Sequence, residues 1–152
     1  MRFVVQRVIE AQVAVENDII GKIGHGLLLF VGVSDSDTTQ VADKMIDKVT
    51  KLRIFDDADG KTNLSSADVN GAFLIISQFT LYADCRKGNR PSFTAAGKPE
   101  QANALYQYII EEIHKKGFPV EHGIFGADMK VSLINDGPFT IVLESDDIMG
   151  KC

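Results

Sequence analysis

The run Ala72-Phe73-Leu74-Ile75-Ile76 limits the fold more than any other stretch of the chain. Five apolar residues in a row leave no polar face, so a strand made of them needs cover on both sides. A second run, Leu27-Leu28-Leu29-Phe30-Val31-Gly32-Val33, has the same character of a central strand. The first run passes directly into Ser77-Gln78-Phe79-Thr80-Leu81-Tyr82-Ala83-Asp84, where Ser77, Gln78 and Thr80 are uncharged hydrogen-bonding side chains. Burying such groups without partners costs ~1–3 kcal/mol apiece. Two readings follow. Either the strand ends there and its polar residues meet solvent, or the strand end is the polar floor of a pocket.

The remaining elements give a single α/β domain with a mixed sheet and two main amphipathic helices. Residues 3–7 and 11–15 read as two short strands, and an Asp18-side turn at Glu16-Asn17-Asp18 leads to another over residues 19–23. After the polar loop Ser34-Asp35-Ser36-Asp37-Thr38, rich in N-cap candidates, Val41, Met45, Val49 and Leu52 make one apolar helical stripe. Pro99 suits a first helical turn, and Ala102, Leu105, Tyr106, Ile109 and Ile113 form the second stripe, closed by Gly117. Residues 129–134 alternate, Asn135-Asp136-Gly137-Pro138 is a strong turn, and residues 139–143 read as a further strand. The residues from 145 to 152 read as a polar tail.

Composition sets outer limits. No apolar run approaches the ~18 residues of a membrane span. The two cysteines, Cys85 and Cys152, lie far apart and in no metal-ligand spacing, which fits a reducing cytoplasm. The net charge of −5 argues against a protein that grips DNA or RNA non-specifically. It leaves room for a local basic patch, and Arg86, Lys87 and Arg90 in the loop after Asp84 are the best candidates. Asp56-Asp57-Ala58-Asp59-Gly60-Lys61 fails the calcium-loop pattern, since Phe55 and Ser66 would fall at the first and last ligand positions. No metal is expected, and no dinucleotide, phosphate-loop or other cofactor motif is present. His25, His114 and His122 belong to no catalytic motif, so any activity has to rest on hydroxyls, amides and main-chain groups.

The chain resembles the D-aminoacyl-tRNA deacylases, also called D-tyrosyl-tRNA deacylases, from Met1 to about Glu144. The resemblance is carried by Gln6-Arg7-Val8, Ser77-Gln78-Phe79-Thr80-Leu81 with Ala83-Asp84, and Gly88 with Arg90-Pro91-Ser92-Phe93. Gly123 with Phe125, Ala127-Asp128-Met129 and Asn135-Asp136-Gly137-Pro138 complete it. It implies a barrel-like core and hydrolysis of the ester joining a D-amino acid, or mischarged glycine, to the 3′ end of tRNA. It also implies a homodimer with active sites at the interface. There Ser77, Gln78, Phe79 and Thr80 of one subunit would meet the Gly137-Pro138 turn of the other, whose peptide bond is cis in the family. Arg7, Met129 and Asn135 would support the site, Arg7 by holding the Gly-Pro turn. The turn would reject L-amino acids sterically, without reading side-chain identity. For catalysis, Thr80 could serve as nucleophile, or main-chain N–H groups could polarise the ester while the ribose 2′-hydroxyl helps activate water. The second is the expected mechanism. Two alternatives from other classes are a small-ester hydrolase using Thr80 without RNA, and a non-enzymatic RNA-binding module using the basic loop.

Overall fold

The computed structural model describes residues 1–150; Lys151 and Cys152, the end of the expected tail, lie outside the described residues. In chain order the elements are β1 (Arg2–Val15), β2 (Asp18–Ile23), β3 (Gly26–Gly32), α1 (Thr39–Lys51), β4 (Phe55–Asp56), β5 (Thr62–Leu64) and β6 (Ala72–Ser77). A 3-10 turn (Phe79–Tyr82), α2 (Pro99–Lys115), β7 (Val120–His122), β8 (Met129–Glu144) and α3 (Ser145–Met149) follow.

Six strands form one mixed sheet. β3, β6 and β7 run parallel, while β1 pairs antiparallel with β2, β3 and β8. The sheet curls until β2 approaches β7: a Cβ on Gly21 would stand 3.2 Å from the His122 carbonyl oxygen. The result is a nearly closed barrel, as the resemblance implied.

The two apolar runs are the walls between two cores, which is why neither alternates. Leu27, Leu29, Val31, Phe73 and Ile75 face the helices and pack with Met45, Val49, Tyr106 and Ile109. Leu28, Leu74 and Ile76 face inward and pack with Val8, Val13 and Ile23. The helix stripes are the expected ones, except that Leu52 falls just past the end of α1 and is half-buried, as is Val41. Thr38 caps α1, its hydroxyl accepting from the Val41 N–H at 3.3 Å. The Asp-rich segment is a hairpin turn in which the Asp57 carboxylate accepts from the N–H groups of Asp59 and Lys61.

Three sequence expectations are corrected. The two N-terminal strands are one, β1, because its far edge pairs continuously enough with β8 to carry it past Val8. The two strands expected over residues 129–143 are likewise one, β8, and the Gly-Pro segment is an excursion from it. Pairing jumps from Gln6↔Thr140 to Val8↔Asn135, so residues 136–139 bulge opposite Arg7 alone. Residues 145–149, read as tail, form α3; Ser145 is buried, and its Oγ lies 2.7 Å from the Met1 ammonium. That ammonium also pairs with the buried Asp37 carboxylate at 2.7 Å.

Candidate active site

The main cleft opens where two parallel strands part. β6 and β7 pair as far as Ile75↔His122, and the Gly123 N–H donates to the Ile75 carbonyl at 3.2 Å. Beyond this point β6 runs on to Ser77, while the other arm turns away through residues 124–128 to Met129. Crevices beyond the carboxyl ends of parallel strands are where α/β sheets bind ligands. This one holds about 810 Å³, within the range of small-molecule sites. Ile76, Ser77, Gln78 and Phe79 line one side and Phe125, Ala127 and Met129 the other, with Phe93, Lys98, Pro99 and Ala102 closing the end.

Of the polar residues after the apolar run, Ser77 ends the strand, while Gln78 and Thr80 lie beyond it. β6 stops at Ser77, because Gln78 leaves the extended conformation (φ −144°, ψ 82°) and a single 3-10 turn follows. Leu81 seats that turn on β3, where a Cβ on Gly32 would come within 2.9 Å of the Leu81 Cβ. The Gln78 N–H is already engaged, donating to the Val31 carbonyl at 2.8 Å. The N–H groups of Phe79 and Thr80 begin the turn and so have no partner inside it. The Gln78 side-chain amide donates to the Thr80 hydroxyl. Thr80 is exposed and does not line the cleft. Phe79 is 55% exposed and meets the Phe93 ring edge-on at 5.0 Å.

Among the described residues, the titratable side chains lining the cleft are Asp35, Lys98 and Asp128. Asp35 accepts from the Lys98 main-chain N–H at 3.1 Å, and Asp128 pairs with Lys130 at 2.8 Å. His25, His114 and His122 are all elsewhere; His122 sits nearest, its Nδ1 2.7 Å from the Gly123 carbonyl oxygen. No histidine therefore lines the cleft with Ser77, and both of the cleft's carboxylates already have partners. Met129 lies over Gly123, whose missing side chain makes room for the Met129 sulfur.

A second cluster gathers the other expected residues. Arg7 is buried, 6% exposed, and donates from Nε to the Asp136 carbonyl at 3.0 Å and from Nη1 to the Ile54 carbonyl at 2.7 Å. Its guanidinium lies 4.8 Å from the Phe139 ring centroid and 3.5 Å from the carboxylates of Asp56 and Asp136. The Asn135 amide closes the base of the excursion, donating to the carbonyls of Arg7 (3.0 Å) and Phe139 (3.1 Å) and accepting from the Phe139 N–H (3.2 Å). Between them, the Gly137–Pro138 peptide bond is cis and Gly137 has φ +131°.

One chain does not bring the two clusters together. Ser77 is level with Val31 and Phe3, whereas the excursion is level with Arg7 and Leu27. Four residues of strand separate the levels, about 13 Å at ~3.3 Å per residue. The basic loop also stands apart from the cleft. The Asp84↔Ser92 bridge closes it, and the Arg86 guanidinium binds the Asp84 carboxylate at 2.9 and 2.7 Å. Those hydrogen bonds hold the Asp84 carboxyl down at about 2. Lys87 and Arg90 are exposed on the same loop.

Sequence reasoning missed the wall built from Asp35, Thr94, Gly97 and Lys98. Its only local sign was the Gly97-Lys98-Pro99 break. Gly97 is needed because its main chain passes so close to Ser34 that a Cβ would stand 3.2 Å from it.

The sequence profile of the D-Tyr-tRNA(Tyr) deacylase family matches residues 4–144. The chain belongs to this family. A D-aminoacyl-tRNA deacylase of Thermotoga petrophila is 54% identical over 148 residues, 97% of this chain and 99% of the relative. One from a Geobacillus species is 52% identical over 151 residues, 99% of each. Among solved structures, a protein described as c-Myc DNA Unwinding Element Binding Protein superposes with a TM-score of 0.90 at 41% identity, covering 95% of this chain and 98% of the other. A structure described as a probable eukaryotic D-amino acid tRNA deacylase superposes with a TM-score of 0.80 at 17% identity, over 93% and 97%, and shares the fold.

Proposed function

We propose that the protein is a D-aminoacyl-tRNA deacylase, hydrolysing the ester between a D-amino acid, or glycine, and the 3′-terminal ribose of tRNA. Water attacks the ester carbonyl carbon, the bond to the ribose oxygen breaks, and the free amino acid and tRNA leave. The observation that carries this reading is a cleft at Ser77, Gln78 and Phe79 whose lining holds no histidine and whose two carboxylates, Asp35 and Asp128, are engaged by the Lys98 main-chain N–H and by Lys130. Such a site suits a substrate that brings its own assistance. The Phe79 and Thr80 N–H groups are placed to polarise the ester carbonyl, and the neighbouring 2′-hydroxyl helps activate the water. Thr80, held by Gln78 outside the cleft, positions substrate and is not the nucleophile.

The Gly137-Pro138 turn completes the site from a second copy of the chain in a homodimer. Two features support this arrangement: the turn is too distant from Ser77 within one chain, and among the described residues β8 pairs only with β1, leaving its other edge open. Ile134 (49% exposed) and Val142 (57% exposed) lie on β8. Pairing or covering such an edge is the usual solution to it. The turn then excludes an L side chain, while Arg7 and Asn135 hold it in place and Met129 shapes the far wall. Lys87 and Arg90, with Arg86, contact tRNA phosphates in the cytoplasm; no metal, cofactor, membrane or DNA takes part.

The decisive measurement compares deacylation of D-tyrosyl-, L-tyrosyl- and glycyl-tRNA with hydrolysis of D-tyrosine methyl ester. Turnover of the D-tyrosyl and glycyl substrates alone is expected. Efficient cleavage of the methyl ester would refute the dependence on ribose, and tRNA binding without turnover would refute the enzyme.

A further inference from the structure

Tyr106 is among the largest fully buried side chains, 0% exposed on the inner face of α2. A phenylalanine would fill nearly the same space without a polar atom to satisfy. The hydroxyl is not idle, however. It donates to the Ile75 carbonyl at 2.7 Å and lies 3.4 Å from the Gly123 carbonyl oxygen. These two carbonyls stand on opposite arms of the fork at which β6 and the chain leaving β7 separate.

Each arm becomes a wall of the cleft within a few residues. Beyond Ile75 come Ile76 and Ser77; beyond Gly123 come Phe125 and, lying back over Gly123 itself, Met129. The Tyr106 ring packs 6.2 Å from that of Phe125. Ala102, one helical turn before Tyr106 on the same face of α2, also lines the cleft. A single hydroxyl thus ties α2 to both arms at their point of divergence. Burial pushes the phenol's pKa up, so the group remains a proton donor at neutral pH.

We propose that Tyr106 is a positioning residue: its hydroxyl sets the separation of the two arms and so aims the main chain of residues 77–80 at the ester. It acts through Ile75 and Gly123 and touches no substrate. This rests on reading the cleft as the deacylation site. Small errors in the placement of groups that stabilise a transition state are costly in rate, up to ~100-fold for 1 Å.

The test is Tyr106→Phe, assayed on D-tyrosyl- and glycyl-tRNA beside Ile109→Val, a core variant on the next turn of the same helix that does not line the cleft. Y106F is expected to lower kcat about 5- to 20-fold with KM within about twofold, and to change the D-tyrosyl to glycyl rate ratio, by misplacement of this size. I109V is expected to keep wild-type kcat at a similar loss of thermal stability. Wild-type kcat, KM and rate ratio in Y106F would overturn the proposal. So would loss of the folded state in Y106F, which would assign the hydroxyl to stability alone. Ala102→Trp, which fills the cleft, separates this from the site reading. An active A102W overturns the placement of the site and with it the proposal, whereas inactive A102W beside wild-type-like Y106F overturns only the role of Tyr106.

Discussion

Arg7 occupies the space that a side chain at position 137 would need: a Cβ on Gly137 would stand 2.7 Å from Arg7 Nη2. The arginine cannot simply swing aside, because its Nε and Nη1 are committed to the carbonyls of Asp136 and Ile54. Gly137 also has φ +131°, a backbone region that L side chains avoid. Gly137→Ala therefore sets the turn against its own anchor. Strain of about 1–3 kcal/mol is expected, together with at least a tenfold loss of D-tyrosyl-tRNA deacylation or a measurable rise in L-tyrosyl cleavage. Kinetics and selectivity identical to wild type would show that this turn does not discriminate chirality.

The same anchor predicts that Arg7→Lys fails as a conservative change. Lysine keeps the charge but cannot reach two carbonyls in a fixed fork or stack on the Phe139 ring. It leaves the buried Ile54 carbonyl without this donor and places a strongly hydrated ammonium in a dry site. A loss of about 2–4 kcal/mol in urea unfolding is expected, with deacylation falling further than the folded fraction does. Stability within about 0.5 kcal/mol of wild type, the scale of an ordinary surface change, would contradict the anchoring role.

Thr80→Ala separates the two catalytic schemes. The Thr80 hydroxyl accepts from Gln78, has no histidine beside the cleft to deprotonate it, and sits outside the cleft lining. Its main-chain N–H survives the substitution. Activity within about fivefold of wild type, or ~1 kcal/mol of barrier, is expected in single-turnover assays. Complete loss of turnover with tRNA binding intact would restore Thr80 as a nucleophile.

Much of this was legible in the chain because local and global demands coincide. The unbroken apolar runs at Leu27 and Ala72 announced strands covered on both faces, and both helix stripes face the core, Val41 and Leu52 at its half-buried margin. The errors fall where tertiary contacts overrule local signals. The strand of the apolar run reaches Ser77 but not Thr80, because Leu81 packing over Gly32 seats residues 79–82 as a 3-10 turn. Asn135-Asp136-Gly137-Pro138 signals a turn between strands. Pairing with β1 on both sides keeps it inside β8 instead. The Asp35 and Lys98 wall was illegible for another reason. It forms from loops 63 residues apart in sequence, joined by a hydrogen bond from the Lys98 main-chain N–H to the Asp35 carboxylate that no local pattern announces.

The basic loop makes a prediction in pH. Hydrogen bonds from Arg86 hold the half-exposed Asp84 carboxyl at about 2, below its ordinary value of 3.8. A carboxyl lowered in the folded state favours that state above its ordinary pKa, and the contribution disappears as pH falls through the folded value. Order in the 84–92 loop is therefore expected to hold above pH 4 and to fade between about pH 4 and pH 2. A carboxyl carbon titration by NMR should place the Asp84 midpoint near 2. In Arg86→Gln it should return toward 3.8; an unmoved midpoint would show that the pair does not persist in solution.

Asp37 ties the start of the chain to the site. One carboxylate oxygen pairs with the Met1 ammonium at 2.7 Å, the other accepts from the Ser34 N–H at 2.7 Å, and the group is 5% exposed. The main-chain carbonyls of Asp35 and Asp37 accept from Gln101 on α2, and the Asp35 carboxylate meets Lys98 at the cleft. Asp37→Asn keeps the shape but leaves a buried ammonium facing a neutral amide. Removing one partner of a buried pair costs about 3–5 kcal/mol, so a drop in Tm of roughly 6–20 °C is expected for a chain of this size. Because the same loop braces the Asp35 wall, D37N should also raise KM for D-tyrosyl-tRNA at temperatures where it is fully folded. A large fall in Tm with unchanged KM would confine the ion pair to stability and uncouple it from the cleft.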